Sequence, residues 1–544
     1  VKKIIGATLG NCVHVAGVYN FLNLAELCGY QTNFLGIGVK PARIIGALQE
    51  VEPDYLALSY RLTPEVAEKL LADLKNALQE AGLTGQKMIF GGTPAVAKVA
   101  AESGLFTRIF SGEEEASAVV SFLKGEETDE EAGPRGDTLL ERMGQKHPYP
   151  LLRHHFGLPS LEETVRGVKT IAEAKVLDII SLGPDQNAQE SFFRPAEMDP
   201  KQEGAGGVPL RREEDLIRIY QASRTGNYPL LRCYSGTRDL LKWAELATRT
   251  IKNAWAAIPL FWYSQLDGRA DRPLTAAIQE NQAAMAWYGE RGIPVEVNEA
   301  HHWSLRSAPD SVAVAAFYLA AYNAKKAGVE HYIAQIMLNN PPGTSGIMDL
   351  GKALAGLELV GRLEDDRFKV YRQVRAGLAS LSVKPYVAKG QLAASTVLGL
   401  GLSPQIIHVV AYCEAEHIAT PAEIIESCEL VHGVLKNYLY DAPDPTADRR
   451  ILARKEQLIT EAELILKAIR ALGAAKESDP LTDPETLAQA VGLGILDAPQ
   501  LKGSPAAPGR IKTRLWQGAC RLWDEENQRV TGEEERLAGH SRSG

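Results

Sequence analysis

Two long stretches of this sequence alternate short apolar runs with amphipathic segments, and that alternation constrains the fold more than any other feature. From residue 1 to about 123 the runs are Ile4-Ile5-Gly6-Ala7-Thr8, Thr32-Asn33-Phe34-Leu35, Tyr55-Leu56-Ala57-Leu58-Ser59, Met88-Ile89-Phe90 and Arg108-Ile109-Phe110. Helical patterns such as Val18 to Cys28 and Pro64 to Ala81 separate them. Strands spaced by helices of this length predict a parallel sheet with right-handed crossovers, covered on both faces.

From about 150 to 440 the alternation resumes on a larger scale. Candidate strands are 151–156, 174–182, 229–234, 257–263, 294–303, 331–337, 369–375 and 406–412, with helical segments such as 210–224, 273–291 and 310–328 between them. Eight strands and eight helices predict a (β/α)8 barrel, whose chemistry sits at the carboxyl ends of the strands. Residues 124–149 carry the acidic, Pro/Gly-containing run Glu-Glu-Thr-Asp-Glu-Glu-Ala-Gly-Pro-Arg-Gly and read as a linker. After the polar break Asp441 to Asp448, residues 441–544 read as a mainly helical capping extension, with a long helix near 450–473 and an amphipathic end around Trp516 to Arg536.

The 544 residues suffice for several domains, and a net charge of −9 with no dense Lys/Arg stripe argues against nucleic acid or an anionic membrane as partner. No window approaches 18 uninterrupted apolar residues, and Val1 to Gly6 reads as a strand instead of a leader peptide, so a cytoplasmic location is expected. The six cysteines (Cys12, Cys28, Cys233, Cys413, Cys428, Cys520) are far apart, without the spacing of a zinc or iron–sulfur motif.

The most informative residues fall at the carboxyl ends of the first domain's strands. Gly10-Asn11-Cys12-Val13-His14-Val15-Ala16-Gly17 follows the first strand, Ser59-Tyr60-Arg61-Leu62 ends the third, and Gly91-Gly92-Thr93 ends the fourth. That edge is where doubly wound sheets bind ligands. Over residues 1–123 the pattern resembles the flavodoxin-like cobalamin-binding domain with its Asp-x-His-x-x-Gly…Ser-x-Leu…Gly-Gly signature. The resemblance implies that His14 is the lower axial ligand of cobalt. It also implies that Ser59 and the Gly91-Gly92 pair line a channel for the cofactor's nucleotide tail, with Gly17, Arg61, Thr93 and Gly112 as further cofactor-binding positions. Imidazole suits the first role as a neutral donor to a transition metal, and glycines let backbone approach a bulky ligand. Two positions depart from the family: Cys12 stands where it has Asp, and Arg61 where it has Leu.

The barrel half adds a second resemblance, carried by Tyr228 to Cys233, by Ile278 to Ile293 running into Val297-Asn298-Glu299, and by Val409 to Pro421. Over residues 1–440 the chain is similar to the small and large components of the adenosylcobalamin-dependent glutamate mutase (methylaspartate mutase) family, joined small part first. The resemblance implies that Arg232 belongs to a substrate-carboxylate clamp, as a planar guanidinium fork would. It further implies that Glu416 contacts the adenosyl ribose, Glu299 lies at an adjacent strand end, and Tyr412 replaces the family's lysine. The rest of the clamp is missing: Gln189 and Ala205-Gly206-Gly207 stand where arginines belong, and Arg194, Arg211 and Arg269 have no assigned place. Arg232 also reads as a structural ion pair inside the barrel, and Glu416 as a carboxylate beside the helix start at Thr420-Pro421.

His301-His302-Trp303 reads as a strand end, with the two imidazoles on opposite faces; Phe261-Trp262-Tyr263 reads as barrel core. The expectation is an adenosylcobalamin-dependent carbon-skeleton mutase acting on a small carboxylic or amino acid, with glutamate a poor fit, and a homodimer through the barrel domain. Two alternatives stay open, a corrinoid-dependent methyltransferase and a non-catalytic cobalamin sensor or carrier.

Overall fold

A computed structural model describes residues 1–112, 114, 116–125, 136–234, 236–439, 442 and 444–540. Backbone contacts divide the chain into residues 1–135 with 144–148, and residues 136–143 with 149–544. Of the acidic linker, residues 126–135 lie outside the described residues.

The first unit is a five-stranded parallel sheet of β1 (Lys3–Thr8), β2 (Gln31–Phe34), β3 (Tyr55–Tyr60), β4 (Met88–Gly92) and β5 (Arg108–Phe110), in the flavodoxin-like order β2-β1-β3-β4-β5. Helices α1 (Ala16–Leu27), α2 (Pro41–Val51), α3 (Pro64–Glu80), α4 (Pro94–Ser103) and α5 (Ala116–Lys124) follow the strands in turn. Three of them start alike, because proline at the first helical position needs no amide hydrogen and forces its predecessor into extended backbone. Lys40, Thr63 and Thr93 accordingly have ψ of 152°, 142° and 159°. The central strands are buried on both sides, as their near-continuous apolar runs require. Ile5, Leu56, Leu58 and Phe90 pack there with Leu71 and Leu74 of α3.

The second unit is an eight-stranded parallel barrel: β6 (Leu151–Phe156), β7 (Ile179–Leu182), β8 (Leu230–Cys233), β9 (Ala256–Ile258), β10 (Val295–Val297), β11 (His331–Leu338), β12 (Lys369–Ala376) and β13 (Ile406–His408). The ladder runs β8-β7-β6-β13-β12-β11-β10-β9. The seam between β8 and β9 is crossed at Ala254, whose N–H donates to Leu231 O at 2.9 Å. A short helix α6 (Leu139–Lys146) precedes β6, and α7 (Leu161–Ala174), α8 (Gln186–Ser191), α9 (Glu213–Ala222), α10 (Leu240–Ile251), α11 (Leu274–Gly289), α12 (Ala300–Leu305), α13 (Asp310–Lys326), α14 (Gly346–Gly361), α15 (Pro385–Leu400) and α16 (Pro421–Tyr438) connect and cover the strands.

One expectation is corrected. The strand at 294–303 stops at Val297, and His301, His302 and Trp303 lie on α12. One helical step brings the two imidazole rings to 4.4 Å between centroids instead of to opposite faces. The end of the chain is mainly helical, as expected, and adds a small sheet. After α17 (Arg449–Leu472) and α18 (Pro484–Gly492), an antiparallel sheet of β14 (Thr513–Trp516), β15 (Ala519–Asp524) and β16 (Arg529–Val530) precedes α19 (Glu533–His540). Gln517 and Gly518, at φ of 50° and 74°, form the two-residue left-handed turn that suits a hairpin. The extension does cap the barrel, since α17 packs along α13 and α14. Its Arg454 is buried against Asp310, Nη2 to Oδ2, at 2.7 Å. Among the described residues no helix is long and apolar enough to cross a membrane.

Candidate functional site

Register gathers the first set of expected residues. Thr8 pairs with Ser59, Ser59 with Gly91, and Gly91 with Phe110, so these four form one row across the carboxyl edge of the sheet. With strand order β2-β1-β3, the loops after β1 and β3 leave toward opposite neighbours, which makes this the topological switch point. The loop after β1 carries His14, which is exposed, and Gly17, the second residue of α1. Arg61 is exposed one residue beyond β3, and Thr93 precedes α4. Gly112 follows β5 at φ 86°, and its N–H donates to Glu114 Oε2 at 2.9 Å.

The loop holding His14 is pinned by a residue that the sequence did not single out. Thr8, fully buried, donates its hydroxyl to Cys12 O at 2.5 Å and accepts Gly38 N–H at 2.9 Å. Cys12 is itself fully buried, and its Sγ lies 3.8 Å from His14 Nδ1. His14 as a whole is exposed, so its imidazole is accessible to a transition metal such as cobalt.

Glycine geometry tests whether a bulky ligand fits here. A β-carbon built on Gly91 or on Gly17 meets no atom within 4 Å, so neither is glycine for the sake of protein packing. At Gly92 the same carbon falls 2.9 Å from Tyr60 O and from the Phe90 ring, so protein packing alone demands that glycine. An exposed imidazole beside open backbone at a switch point fits a corrinoid and its nucleotide tail.

The barrel interior holds a polar layer drawn from strand after strand. Arg153 on β6 donates Nε to Ser181 Oγ on β7 at 2.6 Å, Nη1 to Gln373 Oε1 on β12 at 3.0 Å, and lies 2.8 Å from His155 Nε2. Arg232 on β8 is 1% exposed, sits 4.8 Å over the Trp255 ring and faces Glu296 of β10, Nη1 to Oε2, at 3.8 Å. Glu296 Oε2 also accepts Trp255 Nε1 at 2.7 Å and Gln373 Nε2 at 3.1 Å. Burial would raise the Glu296 carboxyl, but Arg232 and Arg153 outweigh it and hold the group below the ordinary carboxylate range. Arg232 Nε and Glu296 Oε1 are buried without a hydrogen-bond partner.

Toward the carboxyl end of the strands lie Arg375, His155 and His408. The two imidazole centroids are 4.8 Å apart. Burial, then Arg153, push both histidines well below their ordinary value, so they are neutral bases at neutral pH. His154, facing the other way on β6, pairs with Glu414 Oε1 at 2.9 Å. Three guanidinium groups, Arg153, Arg232 and Arg375, thus face two nearby ionised carboxylates, Glu296 and Glu414. A guanidinium keeps its proton even when buried, so the layer carries excess positive charge.

The other expected barrel residues are placed as follows. Glu299 is buried, and its carboxyl accepts Leu260 N–H at 2.9 Å, Phe261 N–H at 3.3 Å and Trp303 Nε1–H at 2.8 Å. Burial outweighs these bonds and pushes it up to about 8. Tyr412 donates its hydroxyl to Glu426 Oε2 at 2.7 Å under Lys389, whose Nζ is 4.5 Å from the ring centroid. Glu416 is exposed, its side chain 59% accessible, with His417 Nδ1 at 3.8 Å. Phe261 and Trp262 are fully buried core. Arg194 pairs with Asp239 at 2.9 Å, Arg211 with Asp185 and Glu203, and Arg269 lies 5.1 Å over Tyr263, so all three have structural partners. Gln189 donates to Pro184 O at 2.8 Å.

Arg153, His155, Glu296, Gln373, Arg375 and Glu414 were not singled out by the sequence reading. Except for Glu414, which lies in the loop after β13, their signal was present as polar side chains within the strands, where alternate positions of a barrel strand point inward.

No family model matches the chain, and no curated protein does. Among solved structures it is similar to a novel cobalamin-binding protein from Desulfitobacterium hafniense DCB-2, at 28% identity over 23% of this chain and 59% of that one, with a TM-score of 0.21. It is also similar to the apo, selenomethionine-labelled cobalamin-dependent S-adenosylmethionine radical enzyme OxsB, at 12% identity over 80% of this chain and 56% of that one, with a TM-score of 0.19. The chain therefore matches less than two thirds of the length of either.

Proposed function

We propose that this chain binds a cobalamin at the carboxyl edge of its β1–β5 sheet and is an adenosylcobalamin-dependent carbon-skeleton mutase for a small carboxylic or amino acid. The observation that carries the reading is the row Thr8–Ser59–Gly91 beside the exposed His14, with open space where a Gly91 side chain would be. His14 would hold the metal from below, and Ser59, Gly91 and Gly92 would line the nucleotide tail. When bound, adenosylcobalamin supplies a carbon radical by homolysis of its cobalt–carbon bond.

The barrel's part is binding, orientation and exclusion of water. The guanidinium excess of Arg153, Arg232 and Arg375 favours a substrate with a carboxylate, and a buried site strengthens that attraction. His155 and His408 stay neutral, so their imidazoles can hydrogen-bond to an ammonium or hydroxyl group of the substrate without adding charge. Glutamate is disfavoured, since Gln189 and the Ala205–Gly207 turn offer no cation for a second carboxylate.

A second reading, a non-catalytic cobalamin sensor or carrier, draws support from the Arg232–Glu296 pair and the hydrogen-bonded Glu299, which give both of these buried residues internal partners. The full chain, loaded anaerobically with adenosylcobalamin and offered small carboxylic and amino acids, distinguishes the two. The mutase reading expects a cobalt(II) or radical signal with at least one acid; binding of the cofactor with no signal from any acid would put the sensor reading ahead.

A further inference from the structure

On the loop between β13 and α16, three different donor types converge on one spot. Cys413 Sγ, a ring nitrogen of His417 and a carboxylate oxygen of Glu423 all lie within 4.8 Å of one another, with His417 Nε2 and Glu423 Oε1 at 2.8 Å. The Cys413 thiol hydrogen-bonds to Glu423 as well, so two donor hydrogens are aimed at one carboxylate. Cys413 is buried, Glu423 half-buried, and His417 opens to solvent. None of the three is used by the cobalamin reading.

We propose that Cys413, His417 and Glu423 form a binding site for a zinc-class divalent transition ion. Sulfur, imidazole nitrogen and carboxylate oxygen are the ligand types such an ion takes, at about 2.3, 2.0 and 2.0–2.2 Å, and three protein ligands leave a fourth position for water. On binding, the thiol proton leaves to solvent, so one thiolate and one carboxylate neutralise the dication. His417 then presents its Nε2 lone pair and carries its proton on Nδ1, beside Glu416 Oε2 at 3.8 Å. A carboxylate behind a ligating imidazole is the usual means of fixing its ring and tautomer.

The loop is built to hold such a site. Glu423 is the third residue of α16 and is anchored through its other oxygen, Oε2, which accepts Thr420 N–H at 2.9 Å and the Thr420 hydroxyl at 2.8 Å. That capping box leaves Oε1 toward His417 and Cys413. A bound ion would therefore tie the loop to the helix start at the barrel's carboxyl end.

The test uses the cobalamin-free full chain, stripped with a chelator and titrated with Co2+. The expected result is one equivalent of tetrahedral cobalt with a sulfur-to-metal charge-transfer band, displaced by Zn2+. Cys413→Ser should abolish the band, whereas His14→Ala should leave it, which excludes the Cys12–His14 pair as its source. Glu423→Gln keeps an oxygen to cap α16 but loses the charged ligand, and should weaken Co2+ binding at least about tenfold with an unchanged far-ultraviolet circular dichroism spectrum. Absence of a charge-transfer band in the wild type, its survival in Cys413→Ser, or unchanged affinity in a folded Glu423→Gln overturns the proposal. Cobalamin binding is read separately, so neither result bears on the other.

Discussion

Arg232 and Glu296 face each other inside the barrel at 3.8 Å, each about 1% exposed, with the Trp255 indole stacked on the first and hydrogen-bonded to the second. Their mutual dependence is set by burial: removing one charge strands the other in a low-dielectric interior.

Arg232→Ala should therefore destabilise the barrel by about 3–5 kcal/mol, while Arg232→Lys, which keeps the charge but loses the planar stack and fork, should cost less. The pH dependence follows from the depressed Glu296 carboxyl. A group whose folded pKa lies below its unfolded value contributes stability above the unfolded pKa and loses it as pH falls through the folded one. Chemical denaturation of wild type and Glu296→Gln across acid pH measures this. A wild-type curve parallel to the variant's would refute the pairing.

Gly91 and Gly92 separate ligand space from packing space. Gly91→Leu should leave the melting temperature of the ligand-free chain within a few degrees, because its β-carbon enters open space, yet lower cobalamin affinity more than tenfold, about 1.4 kcal/mol. Gly92→Ala should instead destabilise by about 1–3 kcal/mol through its contact with Tyr60 O. Cobalamin binding to Gly91→Leu at wild-type strength would mean the nucleotide tail does not run along β4.

Glu299 has the opposite sign from Glu296. With its folded pKa raised from 4.5 to about 8, the native state keeps a proton that the unfolded chain has lost between those values. Stability from this group falls as pH rises through that window, by at most about 1.4 kcal/mol per pH unit. Glu299→Gln should flatten the decline, measured as the difference in unfolding free energy between variant and wild type from pH 5 to 8. A difference independent of pH would show that Glu299 ionises normally.

The periodicities were enough to read the sheet and the barrel. Each of the eight barrel strands overlaps one of the segments expected, because parallel strands buried on both faces leave continuous apolar runs. His301 and His302 were misplaced because a short apolar run into a turn looks alike for a strand and for one turn of helix. The β14–β16 sheet was missed because its alternation is mixed with charged residues. In the first unit the candidate site was legible, since His14, Ser59 and Gly91 sit at strand ends that a motif can mark. The barrel's polar layer was not, because Arg153, Glu296 and Gln373 are brought together across hundreds of residues, and only register joins them.

The central claim is that His14 ligates cobalt, and the electron paramagnetic resonance spectrum of the cobalt(II) form tests it most directly. The full chain, prepared with ordinary and with nitrogen-15 histidine and loaded with cobalamin, should show each cobalt line split into a triplet in the first sample and a doublet in the second. The His14→Ala variant should bind cobalamin more weakly and lose the isotope effect. A splitting that ignores the histidine label, or a His14→Ala spectrum identical to wild type, would contradict the account.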